Sequence, residues 1–214
     1  MDTILTIREA AQQVLSVDGV DGFLQIIPNV LTPEECQQII REGEQKGFLP
    51  ASLYTDKAGV EHFSELRKSY RCIIDSIPFA QMLWNRLEPF IPKRLSDGWE
   101  VKGINERLRL LRYTKGDEFL PHTDGTYQNA ASHMSKITIL IYLNTGYKGG
   151  FTNFKNNQGS WTAILPEVGM VAIQDQGLLH CVPPLEEGTK YVLRTEVMYG
   201  YPYDSASVKV VKIV

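Results

Sequence analysis

His122, Thr123 and Asp124 place an imidazole and a carboxylate two residues apart, and His180 follows 56 residues beyond Asp124. On a strand, residues two apart point to one face, because side chains alternate with period two. If His180 arrives from a neighbouring strand, three ligands cover one side of a metal ion and leave the other side open. Two histidines and one carboxylate with open positions suit a non-haem iron(II) that must take up further ligands and activate them. A His-x-Asp triplet also arises by chance in loops. For His122 the ordinary alternative is a surface or core histidine, and for His180, after the apolar Leu178-Leu179, a satisfied core histidine.

The surrounding elements must decide, and their character changes along the chain. Residues 3–16 set Ile4, Ile7, Ala11, Val14 and Leu15 at helical spacing. A short strand, Phe23–Ile27, precedes Thr32-Pro33-Glu34-Glu35, which supplies an N-cap, a proline at the first helical position and the glutamate of a capping box. That helix turns Cys36, Ile39 and Ile40 inward and stops near Gly47. Residues 51–66 are polar and aperiodic, which predicts a mobile loop. A third helix is expected over about 76–91, with Phe79, Met82, Leu83, Leu87 and Phe90 as its apolar set.

From about residue 99 the period becomes two. Leu108, Leu110 and Arg112 alternate with Arg107, Arg109, Leu111 and Tyr113, and strands follow at 137–143, 151–154, 162–165, 170–173, 178–182 and 191–199. Glycine-bearing turns, Gly149-Gly150 among them, separate these strands. Short strands at near-regular spacing predict a mainly β (α+β) fold: a jelly roll, or double-stranded β-helix, with packed N-terminal helices. The expected organisation is a single domain over 1–214. Residues 1–98 form a helical support, 99–200 the jelly-roll core with the metal site, and 201–214 a tail whose apolar end, Val208 to Val214, is an edge strand or a contact surface.

Composition narrows the classes. Hydrophobic residues are 43% and charged residues 22%, as in an ordinary globular protein, and the net charge of −3 gives no support for a nucleic-acid or anionic-membrane surface. No apolar run approaches the roughly 20 residues needed to cross a bilayer. Asp2 and Glu9 interrupt the N-terminal pattern, which reads as an amphipathic helix and not as a signal peptide. Cys36, Cys72 and Cys181 have no disulfide or CxxC spacing, so the expected compartment is the reducing cytoplasm.

The motif region reads Arg112-Tyr113-Thr114-Lys115-Gly116-Asp117-Glu118-Phe119-Leu120-Pro121-His122-Thr123-Asp124, then a strand carrying Thr138 and Tyr142, the Gly149-Gly150 turn, and His180 ten residues before Lys190-Tyr191. This order resembles the prolyl 4-hydroxylase-like branch of the Fe(II)/2-oxoglutarate-dependent dioxygenases, from Arg112 to Tyr199 and more loosely from about Phe23. The family has a tyrosine nine residues before the first histidine, an aromatic three before it, and a basic residue about ten after the second. Tyr113, Phe119 and Lys190 fill those places.

The resemblance implies that His122, Asp124 and His180 hold Fe(II), with 2-oxoglutarate and O2 as cosubstrates and ascorbate as an optional reductant. Lys190 is the first choice for anchoring the far carboxylate of 2-oxoglutarate, since a buried anion needs a hydrogen-bonded cation. Arg194, four residues on and on the same strand face, is the second choice or a co-ligand. Tyr142, Tyr113 and Thr138 complete the expected cosubstrate site. Halogenating relatives lack the carboxylate ligand, so Asp124 implies hydroxylation. His62 and His133 fit no ligand spacing, and Cys181 should face away from the metal as a packing residue.

The substrate is expected to be a prolyl residue in a peptide or protein. Two alternatives stand beside it: a free amino acid or small metabolite undergoing the same chemistry, and a non-catalytic metal-binding sensor. Arg67, Tyr70 and Arg71 form either a solvated charged edge or a lid over the substrate. Metal-ligating histidines must be neutral, which places an acid limit on activity near pH 6. The sequence leaves the oligomeric state open.

Overall fold

The computed structural model describes residues 15–17, 19–52, 54–55, 61–62 and 65–202. Two antiparallel sheets face each other, and the helices cover the outer face of the larger one. Its principal strands are β1 (Leu24–Ile27), β2 (Tyr70–Asp75), β3 (Glu100–Ile104), β4 (Arg107–Tyr113), β6 (Met134–Tyr142), β9 (Val171–Asp175) and β11 (Lys190–Gly200). The smaller sheet holds β5 (Glu118–His122), β7 (Thr152–Lys155), β8 (Trp161–Ile164) and β10 (His180–Val182).

The nine-stranded sheet runs Leu15–Ser16, β1, β9, β6, β11, β4, β2, Leu49–Pro50, with β3 also paired to β11. The five-stranded sheet runs β8, β7, β10, β5, Arg67–Lys68. Strands distant in sequence pair in both sheets, the crossing pattern of a jelly roll.

The period-two pattern assigns the two faces. Leu108, Leu110, Ile139, Ile141, Leu193, Val197 and Tyr199 point outward and pack with Cys36 and Ile39 of α1 (Pro33–Lys46) and Leu83 and Leu87 of α2 (Ile77–Leu87). The alternate residues point between the sheets, where Leu140, Tyr142, Phe154, Ile164, Ala172 and Val192 form a second core. The faces differ in kind: the outer one is apolar, whereas the inner one also carries buried Thr138, Gln174, Lys190 and Glu196.

The capping box at α1 forms as its sequence predicts, with Thr32 Oγ1 accepting from Glu35 N at 3.1 Å and Glu35 Oε2 accepting from Thr32 N at 2.8 Å. The same carboxylate receives both terminal nitrogens of Arg86 at 2.8 and 2.9 Å, which fastens α2 to the start of α1. The helix expected over 76–91 ends at Leu87 and continues only as a 3-10 turn, Glu88–Phe90, since Pro89 has no N–H to give.

Within 51–66, expected as a loop, Tyr54–Thr55 pairs with Glu61–His62 in a small hairpin, too short for periodicity to reveal. Of the helix expected over 3–16, residues 3–14 lie outside the described residues, and Leu15–Ser16 is instead a strand paired with β1. The tail segment 203–214 also lies outside them.

Gly169 ties these layers together. Its carbonyl accepts from Val30 and Leu31, its N–H donates to Tyr142 O, and its φ is +79°. A Cβ there would lie 1.9 Å from Leu31 O, a backbone atom that cannot swing aside. Gly169→Ala is therefore expected to destabilise the fold by at least about 2 kcal/mol, read by denaturant unfolding.

Candidate active site

His122 is the last residue of β5 and lies opposite His180, the first residue of β10, in the antiparallel register. Asp124 stands just beyond the strand, where its N–H donates to Gln176 O at 2.9 Å. The expected shared face thus comes from a strand end and a pinned extension of it, not from one unbroken strand. The ligating atoms of His122, Asp124 and His180 lie within 4.8 Å of one another.

Backbone carbonyls set the tautomer of both rings. His122 Nδ1 lies 2.7 Å from Leu120 O and His180 Nδ1 lies 2.9 Å from Leu178 O. A carbonyl only accepts, so each Nδ1 carries the proton and each Nε2 keeps its lone pair for a metal. Phe119 stacks on the His122 ring at 3.4 Å between centroids, and Phe154 lies against His180 at 5.6 Å.

Burial, helped by the neighbouring His180, lowers the His122 pKa to about 4. Burial opposes ionisation of Asp124, but Arg194, His180 and Thr138 outweigh it and hold that carboxyl at about 2. At neutral pH the pocket presents a neutral His122 and an anionic Asp124, as a divalent transition ion requires.

Asp124 is held from both oxygens. Thr138 Oγ1 donates to Oδ2 at 2.6 Å, Gln174 Nε2 lies 3.4 Å from the same oxygen, and Arg194 Nη2 reaches Oδ1 at 3.0 Å. The network continues inward, because Glu196 accepts from Arg194 at 2.6 Å, from Arg109 at 2.8 and 2.9 Å, and from Asn105 at 3.0 Å. Thr138, expected beside the cosubstrate, thus gives its hydroxyl to Asp124. Outer partners of metal ligands typically contribute 10–100-fold in affinity, so Thr138→Val is expected to weaken Mn(II) or Co(II) binding by roughly that factor in calorimetry.

Lys190 lies four residues before Arg194 on the same face of β11, opposite Tyr113 of β4. The residue is 1% exposed, and its ammonium bonds to Gly150 O at 2.6 Å and Thr152 Oγ1 at 3.4 Å, with the Tyr113 ring 5.3 Å away. No carboxylate of the described residues pairs with it, and burial lowers its pKa to about 7. The buried Tyr142 hydroxyl has no hydrogen-bond partner in good geometry, with only Thr152 near enough to interact with it. A buried cation without an anion and an idle buried hydroxyl fit a ligand carboxylate. The three ligands fit a divalent ion.

The structure separates the remaining candidates. Arg71 lies on the inner face, opposite Leu111, with Nη2 bonded to Ser52 Oγ at 3.0 Å. Arg67 pairs with Phe119, its guanidinium 4.9 Å over that ring, and donates from Nε to Ser69 Oγ at 3.0 Å. Tyr70 does not join them. It pairs with Arg112, whose guanidinium lies 5.3 Å over the Tyr70 ring and reaches Glu44 of α1, so Tyr70 faces the helices as strand alternation demands.

His62 and His133 lie outside the ligand cluster, and Cys181 is buried as a free thiol. Sequence reading missed Gln174, Asn105, Arg109 and Glu196. Glu196 left a signal, a lone acid inside the apolar strand 191–199, two residues from Arg194 and therefore on its face.

Two facing antiparallel sheets with a His-x-Asp…His cluster at one end make a double-stranded β-helix with a candidate metal site. Residues 108–195 match the family model of the 2OG-Fe(II) oxygenase superfamily. The matched segment includes His122, Asp124, His180, Lys190 and Arg194.

Similar solved structures include prolyl hydroxylases. The viral collagen prolyl hydroxylase of Paramecium Bursaria Chlorella virus-1 has a TM-score of 0.60 and 17% identity, covering 83% of this chain and 97% of that one. A Pseudomonas putida prolyl-4-hydroxylase has a TM-score of 0.60 and 14% identity, covering 83% and 92%. A Trichoplax adhaerens prolyl hydroxylase, in complex with a hypoxia inducible factor peptide fragment, has a TM-score of 0.64 and 18% identity, covering 83% and 84%. At these identities the likeness is one of fold. No curated protein sequence matches the chain significantly. No helix among the described residues is long and apolar enough to cross a membrane.

Proposed function

We propose that the protein is an Fe(II)- and 2-oxoglutarate-dependent dioxygenase that hydroxylates a C–H bond, with a prolyl residue of a peptide or protein as its substrate. One observation carries this reading: a cluster of two imidazoles and one carboxylate on the smaller sheet stands with an ammonium on the inner face of the larger sheet that has no carboxylate partner among the described residues. His122, Asp124 and His180 would hold the iron, and Lys190, with the Tyr142 and Tyr113 hydroxyls, would receive the far carboxylate of 2-oxoglutarate. Iron with 2-oxoglutarate and O2 supplies the oxidising power for hydroxylation, leaving succinate and CO2 as by-products.

The chain's own residues do the positioning. Leu120 O and Leu178 O fix the imidazole tautomers, Thr138 and Arg194 orient Asp124, and the rings of Phe119 and Phe154 limit water at the histidines. Arg194 is already engaged by Asp124 and Glu196, which favours Lys190 as the anchor. Three free, buried cysteines accord with a reducing compartment, and we place the protein in the cytoplasm.

The test is succinate formation from Fe(II), ascorbate and 2-oxoglutarate, with and without proline-containing peptides. Peptide-stimulated succinate supports the reading. Metal binding without any 2-oxoglutarate turnover counts for a non-catalytic sensor. Arg71→Ala is expected to raise the peptide KM several-fold while leaving uncoupled 2-oxoglutarate turnover intact; equal loss of both would remove Arg71 from the substrate side.

A further inference from the structure

Beyond the metal ligands, the inner face is ionic. On β11 the distance from Lys190 to Arg194 is four residues, roughly 13 Å of extended strand. Arg194 bonds Asp124, so the cosubstrate anchor lies to one side of the metal ligands. Toward the other end of β11 stand Arg109, Arg194 and Glu196, and Arg67 reaches in from the second sheet between Tyr113 and Arg194. Once Lys190 has taken the cosubstrate, this is the side left to the substrate.

Its charges do not balance. Asp124 pairs with Arg194, and Glu196 is shared between Arg194 and Arg109. Two carboxylates therefore serve three guanidiniums, counting Arg67 and leaving Arg71 out. Arg67 donates through Nε to a neutral serine, and Arg109 donates to Glu196 through Nη1 alone. Both Nη groups of Arg67, and Nε and Nη2 of Arg109, have no acceptor among the described residues. Burial penalises both cations; Tyr113 offsets this in part for Arg67 and Glu196 for Arg109, while each also feels Arg194 and Arg71 as like charges. A bound divalent ion would make the region more positive still, and a carboxylate matches the planar fork of a guanidinium in two bonds.

Resting on the dioxygenase reading above, we infer that the substrate carries a carboxylate close to the carbon that is oxidised, and that Arg67 and Arg109 receive it. The carboxylate belongs either to a free amino acid or to an acidic side chain beside the target residue. An electrically neutral prolyl segment leaves this wall unmatched.

The test uses Mn(II)-loaded protein saturated with 2-oxoglutarate, and reads the fluorine NMR linewidth of trifluoroacetate against neutral trifluoroacetamide. The expected result is at least fivefold greater paramagnetic broadening of the anion, persisting at saturating 2-oxoglutarate and reduced severalfold by Arg67→Gln, a change at a sheet edge. Equal broadening of the two probes, no broadening, or loss of the effect as 2-oxoglutarate saturates would each overturn the inference. If 2-oxoglutarate fails to alter water relaxation by the bound Mn(II), the dioxygenase reading falls and takes the inference with it, a result separate from the others.

Two further pairs distinguish the sources. They are 4-fluoroproline against its amide, and a capped Glu–4-fluoroproline amide against its Gln counterpart. Preference for the acid in either pair upholds the inference and names the source; equality in both overturns it.

Discussion

Lys190→Met is expected to weaken 2-oxoglutarate binding by roughly two to four orders of magnitude, because removing one partner of a buried ion pair typically costs about 3–5 kcal/mol. Metal affinity should stay close to wild type, since Lys190 touches none of His122, Asp124 or His180. Arg194→Met should behave in the opposite sense, disturbing metal binding through Asp124 before it disturbs 2-oxoglutarate. Calorimetric titration of 2-oxoglutarate and of Mn(II) into each variant separates the two. If Arg194→Met lost 2-oxoglutarate as severely as Lys190→Met, the anchor would be shared.

The pH dependence of this step follows from burial. In the protein without cosubstrate the Lys190 pKa falls from 10.5 to about 7. The unfolded chain therefore binds more protons between about 7 and 10.5, and stability should rise with pH across that window. Below about 7 the ammonium is charged in both states and its full burial penalty is present. Lys190→Met removes this penalty, so the cofactor-free variant should melt higher than wild type at neutral pH even as it loses its ligand. Pairing with a carboxylate restores the charged form. At pH 8, binding of 2-oxoglutarate should therefore take up a proton, visible as a dependence of binding heat on buffer ionisation enthalpy, and absent from Lys190→Met.

Asp124→Asn should reduce turnover and metal affinity by more than about a hundredfold, beyond the range associated with a ligand's outer partners. The substitution keeps the shape of the side chain and an oxygen for Thr138, so the loss reports the anionic ligand and not packing. It also leaves Arg194 facing Glu196 alone. Near-wild-type Mn(II) affinity in this variant would remove Asp124 from the ligand set. The acid limit near pH 6 expected from free histidine needs revision for one residue: with a pKa of about 4, His122 stays neutral well below that value.

Hydrophobic periodicity alone was enough to place most strands from residue 107 onward and the capped helix at Pro33, because in these the buried face repeats with the period of the backbone, but it did not mark β3 or the His122-bearing β5. Two-residue strands such as Tyr54–Thr55 carry no such repeat, and the hairpin they form was invisible for that reason. The triad and Lys190 were legible because residue type and order survive in one dimension. Tyr70 was misplaced because Arg67, Tyr70 and Arg71 are neighbours in sequence, while strand alternation sends Tyr70 to the helix face.

What the sequence determined by itself is the chemistry on offer: two imidazoles, one carboxylate and one lysine in a fixed order on β-forming segments. Only the tertiary structure decided how those groups divide the work. Arg194 and Lys190 share a strand face and a charge, and nothing in their spacing tells which one lies free. Asp124, from 70 residues upstream, and Glu196, from the same strand, both pair with Arg194, and this leaves Lys190 enclosed without an anion among the described residues. Charge pairing acts through space over a few ångströms, so it is settled by the register of sheets and cannot be read along the chain.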